Sequence, residues 1–539
     1  MTALCISRMP KGHRRSRMIP CLACTHGPAK LNPATPKTTM NLTHDPWIPV
    51  IAADGRQRLV SLQEAFASAH EIRDLSVKPH EKIALLRLLI CITQAALDGP
   101  KDFDAWETCR ADIQPAVQRY LEKWRAAFEL FGDGSRFSQM SGLKAANEES
   151  EGNPATKLDL TLASGNNASL FDNAAGNLRS VDAGRLALTL LAFQCFSPCG
   201  RIGVAKWNGA DTPDKGSSKH APCTPSSMLH TYLHGDSLLV TIHLNLLNKD
   251  EACDLPGLGW GKPVWELPVH AASDKEAIAN ATGSYLGRLV PLSRAIRLDA
   301  EGRQMILANG LDYPLAPTFR EPAVTMVQRD GETAVLGVSL GRSIWRQLSA
   351  ITVKRRTNKD AISGPLALRN IDGSQACTLW TGALVAAGNG KIEDVVEAAY
   401  DIPAGMFRDA GRKLYEEGVA LAGLWQEAVS KSVKAYAGTM KLEPVPYDRA
   451  RHYFWTVIEQ HVPTLLKLAD KPEEAGDLKV SEWGKQAKEV AHAAFEFACP
   501  HQTPRQIQAY AIGLQQLFLP HPEDPNAPAK KNAKSKTKP

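Results

Sequence analysis

The chain has 539 residues, of which 44% are hydrophobic and 22% are charged. This composition is typical of a globular protein with ample material for a core, and the length predicts two to four domains. The formal net charge is +6, but twelve of the 63 basic residues lie in the terminal segments 1–39 and 530–539, so 51 remain against 57 acidic residues. The remaining net charge, near −6, excludes a general positive field for nucleic acid, and any such contact must come from local patches.

Cysteine usage and hydropathy indicate the compartment. The eleven cysteines are scattered without framework spacing, which suits a reducing cytoplasm better than a secreted disulfide protein. The apolar run at 83–92 is interrupted by Arg87 and is too short to cross a bilayer. The first residues lack the apolar core that a signal peptide needs. The sequence therefore predicts a cytoplasmic protein without a membrane segment.

Residues 1–39 differ in composition from the rest of the chain, because they are basic, rich in proline and threonine, and free of acidic residues. We interpret them as a disordered or non-native extension, with Met40 as the natural start. Cys21, Cys24 and His26 resemble half a zinc site, but a second pair of ligands at suitable spacing is missing. The sequence therefore predicts no metal here.

The next segments contain the clearest local signals. Alternation of Trp47, Ile48 and Val50 predicts an initial strand. Residues 79–97 predict a helix that starts at a proline and ends before Gly99-Pro100. A second helix is predicted over 115–131, closed by a glycine turn.

The middle of the chain is less regular. Residues 145–235 are rich in Gly, Asn, Ser and Pro and contain one clear predicted helix, Ala183–Phe196. Long irregular stretches of this kind are usually functional loops or disorder. Residues 237–395 alternate short apolar runs with turns and predict a strand-rich region, although 237–247 could equally be helical.

Beyond about residue 395 the periodicity is helical. One helix is predicted within 406–429, and three further apolar stripes follow: Phe454, Val457, Ile458 and Leu465; Trp483, Ala487, Val490, Ala491 and Ala494; and Ile507, Tyr510, Ala511, Leu514, Leu517 and Phe518. Thr503, Pro504 and Gln506 predict the start of the last helix. The sequence thus predicts an α+β protein: a large mixed domain of irregular loops and strands at 40–395, an antiparallel four-helix bundle at 396–520, and a basic disordered tail at 521–539.

Catalytic motifs are absent from the sequence. The run from Gly257 to Lys262 is one residue short of a phosphate-binding loop, and Pro263 replaces the Ser or Thr that would hold magnesium, so a turn-rich loop is favoured. The pair His44-Asp45 has no matching distal cluster. We expect no catalytic residue and no cofactor.

Several blocks of sequence resemble a known family. MNLTHDPWIPV, LVSLQEAF and EKIALLRLLICITQAAL at 40–97 resemble the opening of the CasA family, the large subunits of type I-E CRISPR Cascade complexes. FELFGDGSRFSQM, LPVHAASD, GRLVPLSRAIRL and ARHYFWTVIE are similar to later segments of that family. The resemblance covers roughly residues 40–520. It implies a non-enzymatic subunit that reads a protospacer-adjacent motif in target duplex DNA from the minor groove.

The resemblance also implies roles for particular residues. The motif-reading loop would comprise Cys199, Gly200, Arg201, Ile202 and Gly203, with fewer glycines than in the family. Arg303 would be the minor-groove cation, and Ser374 and Gln375, at the tip of a hairpin, would form a wedge that opens the duplex. A loop containing Asn167, Phe171 and Asn173 would dock near the guide RNA. The paired cysteines of some relatives are replaced by LDAEGRQ, so the resemblance implies no metal.

One basic cluster is identified from the charge pattern alone, independently of the family resemblance. Lys354, Arg355 and Arg356 are adjacent and could contact phosphates, although such a run is more often a solvated loop.

The implied partners are the guide RNA, the backbone, small and guide-end-capping subunits of Cascade, the target DNA and a helicase-nuclease effector. A metal-dependent nuclease and a structural scaffold that reads no sequence remain alternative functions.

Overall fold

The computed structural model of the chain describes residues 39–147, 152–162, 181–214, 218–357, 360–387 and 390–519. The predicted terminal extension with its Cys21 and Cys24 pair, the lysine-rich tail, and the loop with Asn167, Phe171 and Asn173 lie outside these residues.

The strands are short except for the last two. They are β1 (Ile48–Ala52), β2 (Gln57–Val60), β3 (Ile72–Leu75), β4 (Leu143–Ala145), β5 (Asn153–Pro154), β6 (Ala205–Trp207), β7 (Ala210–Asp211), β8 (His230–His234), β9 (Arg294–Leu298), β10 (Gln304–Asn309), β11 (Met326–Arg329), β12 (Glu332–Val335), β13 (Cys377–Ala386) and β14 (Ile392–Ile402).

The helices range from single turns to 32 residues. They are α1 (Leu62–Ala67), α2 (Pro79–Leu97), α3 (Phe103–Thr108), α4 (Ile113–Lys123), α5 (Ala183–Phe196), α6 (Leu238–Leu244), α7 (Lys249–Cys253), α8 (Lys275–Gly283), α9 (Tyr285–Leu289), α10 (Leu348–Ile351), α11 (Asp409–Met440), α12 (Tyr447–Glu459), α13 (Val462–Asp470), α14 (Glu482–Ala498) and α15 (Pro504–Leu514).

The helices α2 and α5 form at the predicted residues. In α2, the Lys78 backbone N–H donates to the Glu81 carboxylate at 3.1 Å, and Pro79 occupies the first turn, where no N–H is needed. In α5, the Asp182 carboxylate accepts from the backbone N–H of Gly184 at 2.8 Å. Both helices are buried on nearly every face, which explains why their apolar runs are almost continuous.

Other elements depart from the predicted limits. The helix predicted over 115–131 begins earlier, at Ile113, and ends at Lys123, and a 3-10 turn follows. The region predicted to be strand-rich, 237–395, holds β9 to β13 and the first residues of β14, but also α6 to α10. Residues 237–247, left open between strand and helix, contain α6 with Ser237 as its cap. Short apolar runs do not distinguish a buried strand from a buried helix, so tertiary packing decided these segments.

A sheet in the order β14-β13-β8 lies between two hydrophobic cores. Trp380 and Leu384 of β13 join the core built from the first half of the chain. Leu379 and Ala383, on the opposite face, join the core that includes the carboxyl-terminal helices. β14 crosses the predicted domain boundary at 395/396.

The region after β14 is helical, as predicted, but its helices differ from those expected. The first, α11, runs over Asp409–Met440 rather than within 406–429. The stripe from Phe454 to Leu465 is divided between α12 and α13, with Pro463 in the first turn of α13. The described residues therefore contain five helices here rather than four. Gly418 lets Leu465 approach α11 closely, since a Cβ there would lie 2.3 Å from a Leu465 methyl.

The last helix follows its predicted apolar stripe only in part. Its capping box is present, with Thr503 and Gln506 bonded reciprocally. However, α15 packs through Ala509 and Gly513, whereas Ile507 and Phe518 are 54% and 56% exposed. A Cβ on Gly513 would lie 2.5 Å from the Phe495 ring, so only small residues fit this contact. Of the predicted stripe, Leu517 is buried and Tyr510 stacks on the Phe495 ring, so the prediction is confirmed for these two residues. It is wrong for Ile507, Leu514 and Phe518, which are exposed.

No helix within the described residues has the length and apolarity that crossing a membrane requires.

Candidate nucleic-acid interface

The segment Cys199–Gly203 follows α5 and is held at its start by a buried arginine. The Arg294 guanidinium donates to the carbonyl oxygens of Pro198 at 2.9 Å and Lys219 at 2.7 Å. Gly200 and Ser218 exchange backbone hydrogen bonds between the two legs of the loop. Burial lowers the pKa of Arg294 to about 10. Since the guanidinium bonds both legs, Arg294 fixes the direction in which the loop leaves the helix.

The glycines of this loop are not required by its own packing. A Cβ built on Gly200 or Gly203 would meet no atom within 4 Å, and neither residue has a positive φ. Arg201 and Gly203 are exposed, and Ile202 is half-buried. At Gly203 the absence of a side chain leaves the backbone open to a partner, which is the second use of glycine besides unusual dihedrals. The Gly200 backbone is already bonded to Ser218.

Arg303 lies at the turn of the hairpin formed by β9 and β10. The Asp299 carboxylate accepts from the backbone N–H groups of Arg303 at 2.9 Å and Gln304 at 3.1 Å, so it closes the turn. The Arg303 side chain is exposed, with its Nε 3.4 Å from the Glu301 carboxylate. It therefore precedes the strand rather than lying within it.

A cleft of about 420 Å³ brings the loop and the hairpin together. Arg201, Ile202 and Gly203 form one wall, and β10 from Gln304 to Leu307 forms another. Two basic side chains that sequence reasoning missed, Lys157 and Arg297, also line it; the full lining is Ala145, Ala146, Gly152, Asn153, Lys157, Arg201–Ala205, Arg297–Asp299 and Gln304–Leu307. A lone lysine in an irregular segment gives no local signal.

The position of Gln375 contradicts the expected hairpin tip. Asp372–Ala376 connects a 3-10 turn to the start of β13. The β13–β14 hairpin closes at the other end of this strand, where the Gly390 backbone N–H donates to the Ala387 carbonyl oxygen. A Cβ on Gly390, in that turn, would lie 2.5 Å from the Cys199 carbonyl oxygen. β13 spans about 30 Å at roughly 3.3 Å per residue, so Gln375 and the Cys199–Gly203 loop lie at opposite ends of this strand. The structure does not bring them together.

The turn before Gln375 is locally well defined. Ser374 donates from its hydroxyl to the Asp372 carboxylate at 2.6 Å, and Gly373 has a φ of 81°. Ser374 and Gln375 are both exposed. The Lys354 ammonium donates to the Ile371 carbonyl oxygen, so this turn lies beside the basic cluster.

The basic cluster does not present three cations to solvent. Lys354 is half-buried, and Arg355 is buried. Arg356 is exposed but donates to both oxygens of Asp409, at 3.2 and 3.0 Å. The expectation of a three-residue phosphate grip is therefore wrong in its geometry, because tertiary contacts occupy two of the side chains and an acid pairs with the third.

The motifs that sequence reasoning set aside have structural roles. The Lys262 backbone N–H donates to the Asn280 side chain at 2.9 Å, within a glycine-rich turn. The Asp45 carboxylate accepts from the Asn41 backbone N–H at 2.9 Å. Within the described ranges, no three His, Cys, Asp or Glu residues are grouped so that they could hold a metal ion.

Comparisons with known proteins identify the fold. The sequence model of the family described as CRISPR-associated protein Cse1 matches residues 41–494. The CRISPR-associated protein CasA/Cse1 of Thermus thermophilus is 31% identical over 406 residues, which are 71% of this chain and 74% of that protein.

Solved structures of Cse1 proteins share the fold of this chain. The structure of Thermus thermophilus CasA (Cse1) has a TM-score of 0.69 at 22% identity, covering 89% of this chain and 98% of its own. Thermobifida fusca Cse1 has a TM-score of 0.69 at 19% identity, covering 90% and 99%. A chain of a structure described as a CRISPR RNA-guided surveillance complex has a TM-score of 0.68 at 16% identity, covering 89% and 99%.

The mixed fold, with its helical carboxyl-terminal part, is therefore that of CRISPR-associated Cse1 proteins. More particularly, the chain belongs to the Cse1 (CasA) family, the large subunits of type I-E Cascade.

Proposed function

We propose that this chain recognises the protospacer-adjacent motif in target double-stranded DNA and helps open the duplex for strand invasion by the guide RNA. In this proposal it is a non-enzymatic, cytoplasmic member of a surveillance complex with the backbone, small and guide-end-capping subunits. It also recruits the helicase-nuclease that degrades the target. Membership of the Cse1 family supports the assembly.

The observation that carries the proposal is the cleft between the Cys199–Gly203 loop and the β9–β10 hairpin. Gly203, whose lack of a side chain the fold does not require, exposes backbone there, and Arg201 extends from the same loop. Arg303 lies next to Gln304, a lining residue. The minor groove is narrow and displays a degenerate pattern, so exposed backbone and long cations suit its recognition.

The division of labour along the chain is part of the same proposal. Residues 40–395 were predicted as the motif-recognition domain and 396–520 as the bundle. Because β14 continues to Ile402 and α11 starts at Asp409, the boundary is best placed between these residues. The helical part would then face the neighbouring subunits and the target strand.

The test uses the assembled complex and duplexes with and without the motif. We expect Arg303→Ala to reduce the preference for the motif by about tenfold, the order of one groove contact. Arg329→Ala is the matched control, since Arg329 is an exposed arginine beside the β11–β12 turn. Equilibrium binding of labelled duplexes measures both.

A complex that binds both duplexes equally well, with or without this chain, would overturn the proposal. Cutting of labelled duplex by the purified chain with magnesium or manganese would instead favour the nuclease alternative. A scaffold that reads no sequence predicts that Arg303→Ala and Arg329→Ala behave alike.

A further inference from the structure

Three basic side chains line the cleft without a carboxylate partner. Among the described residues, Lys157, Arg201 and Arg297 have no carboxylate oxygen within 4.0 Å. The nearest polar partner of Lys157 is neutral, the Asn153 side-chain oxygen at 3.3 Å. Arg297 donates to the Gly134 carbonyl oxygen at 2.7 Å, which is also neutral. Within the part of the chain that the structure describes, no acidic side chain therefore pairs with any of these three cations.

One acid lines the same cleft, and its oxygens are already bonded. Asp299 accepts two backbone N–H groups of the hairpin turn. Glu301, nearby in the chain, pairs with Arg303. With three cations and one carboxylate among its lining residues, the cleft carries a local charge of +2. This contrasts with the chain between its basic ends, which is net acidic.

Lys157 is the most informative of the three cations. It is half-buried, on a 3-10 turn that follows β5. Burial lowers the pKa of its ammonium group, because a charge that leaves water is destabilised unless an opposite charge replaces the lost solvation. An anion in the cleft would supply that charge.

We infer that this cleft binds the phosphodiester backbone of a nucleic acid and that Lys157 is a contact residue for a phosphate. The inference rests on the proposed function and adds to it a sequence-independent contact beside the motif-reading loop. Phosphate contacts fix the register of a protein on DNA, whereas groove contacts specify the sequence. Lys157 would set the position from which the Cys199–Gly203 loop reads.

The size and charge of the cleft suit part of a nucleic-acid strand. Its volume, about 420 Å³, fits a short piece of backbone but not a duplex. Arg201 and Arg297 lie on different walls, so cations face the ligand from more than one side. The open backbone at Gly203 offers an N–H group that can donate a hydrogen bond to a phosphate oxygen.

The test is the salt dependence of target binding by complexes that contain Lys157→Gln. Each lost phosphate contact reduces the slope of log K against log salt by about 0.9. Between 50 and 200 mM salt, the wild-type affinity should therefore fall about three- to fourfold more than that of the variant. The reduction in the salt slope caused by Lys157→Gln should be the same for duplexes with and without the motif.

Lys206→Gln is the matched control. Lys206 lies on β6 close to the loop but pairs with Asp211 at 2.6 Å and does not line the cleft. Its neutralisation should leave the slope unchanged. Thermal melting of both variants confirms folding, and a salt slope measured only on folded complexes keeps the comparison valid.

The outcomes separate the two claims. An unchanged slope with the wild-type motif preference intact overturns the phosphate site and leaves the proposed function standing. A wild-type complex without motif preference overturns the proposed function, while a reduced slope in Lys157→Gln would still support the phosphate site.

A second arm distinguishes the source of the phosphodiester. It measures how this chain joins the remaining subunits with guide RNA bound. If Lys157→Gln weakens joining in a salt-dependent way and leaves the target slope unchanged, the phosphate belongs to the guide RNA. If joining weakens equally with RNA-free subunits, the ligand is an acidic protein segment and the inference is wrong.

Discussion

Two regions of the molecule hold positive charge in opposite ways. Inside the first core, Arg87 and Arg288 share the carboxylate of Glu321, with N–O distances of 2.7 and 2.6 Å. All three residues are buried. In the cleft, Lys157 and Arg201 are accessible to solvent and have no acidic partner among the described residues.

The buried group links distant parts of the chain. Arg87, on α2, also donates to the Leu289 carbonyl oxygen at 2.9 Å, and Arg288 donates to that of Pro314 at 2.6 Å. Burial alone would raise the pKa of Glu321, but the two guanidinium groups outweigh burial and hold it at about 2. Each charged side chain in this group therefore pairs with another one and helps to hold distant segments of the fold together.

Structural and functional charges in this chain can therefore be distinguished by their partners. A buried cation with a carboxylate and carbonyl partners is satisfied, and its removal affects stability. A half-buried cation with neutral partners only is unsatisfied, and its removal should affect ligand binding. Substitutions test this distinction, first in the buried group and then around the cleft.

The largest effect is expected at Glu321. Glu321→Gln leaves two guanidinium groups buried without a counter-charge, and we expect the free energy of unfolding to fall by about 3–5 kcal/mol. Urea denaturation measures it. The control is Glu301→Gln, since this exposed acid pairs with Arg303 at the surface and should change stability by less than about 1 kcal/mol.

The same residue predicts a pH dependence. Because the folded-state pKa of Glu321 is lowered to about 2, its contribution to stability is complete above the unfolded value, about 4.3, and is lost as the pH falls towards 2. The Glu321→Gln variant should therefore lose less stability than the wild-type protein as the pH falls from about 4.3 to about 2. Equal acid sensitivity in both proteins would contradict the paired arrangement.

An intermediate effect separates two glycines close to the hairpin. Gly310 follows β10, and a Cβ there would lie 2.5 Å from the Leu292 carbonyl oxygen. Gly310→Ala should destabilise the protein by about 1–3 kcal/mol, because backbone must shift. Gly203→Ala meets open space, so stability should hold while motif preference falls. Urea denaturation gives the stability of each variant, and binding of duplexes with and without the motif gives its motif preference. A Gly203→Ala protein that is clearly less stable than the wild type would contradict the open space around Gly203.

The smallest effect is expected at Gln375. Since about 30 Å of β13 separates it from the loop, Gln375→Ala should leave the preference for the motif unchanged within about twofold. The wedge role predicted from family resemblance remains a separate prediction. If it holds, the defect of Gln375→Ala appears on intact duplex and disappears on a target with a pre-opened bubble. An equal defect on both substrates argues against the wedge.

Local signals in the sequence predicted several elements well. The limits of α2 and α5 and the start of α15 follow from prolines, capping side chains and apolar periodicity within one or two turns. The initial strand followed from alternation over a few residues. Family motifs placed the loop at Cys199–Gly203, and the structure shows it as a loop with open glycines.

Patterns within the sequence therefore predicted α2, α5, the first strand and the start of α15, together with the mixed class and the family. Tertiary packing was needed to show that Lys157 shares a cleft with Arg201 and that Arg355 is buried. It also divided the predicted stripe of the last helix, with Tyr510 against the core and Ile507 in solvent. It also decided that β13 separates Gln375 from the loop. The physical reason is range: caps and periodicity act over a few residues, whereas these outcomes depend on strand pairing and on which surfaces lose water when distant segments pack.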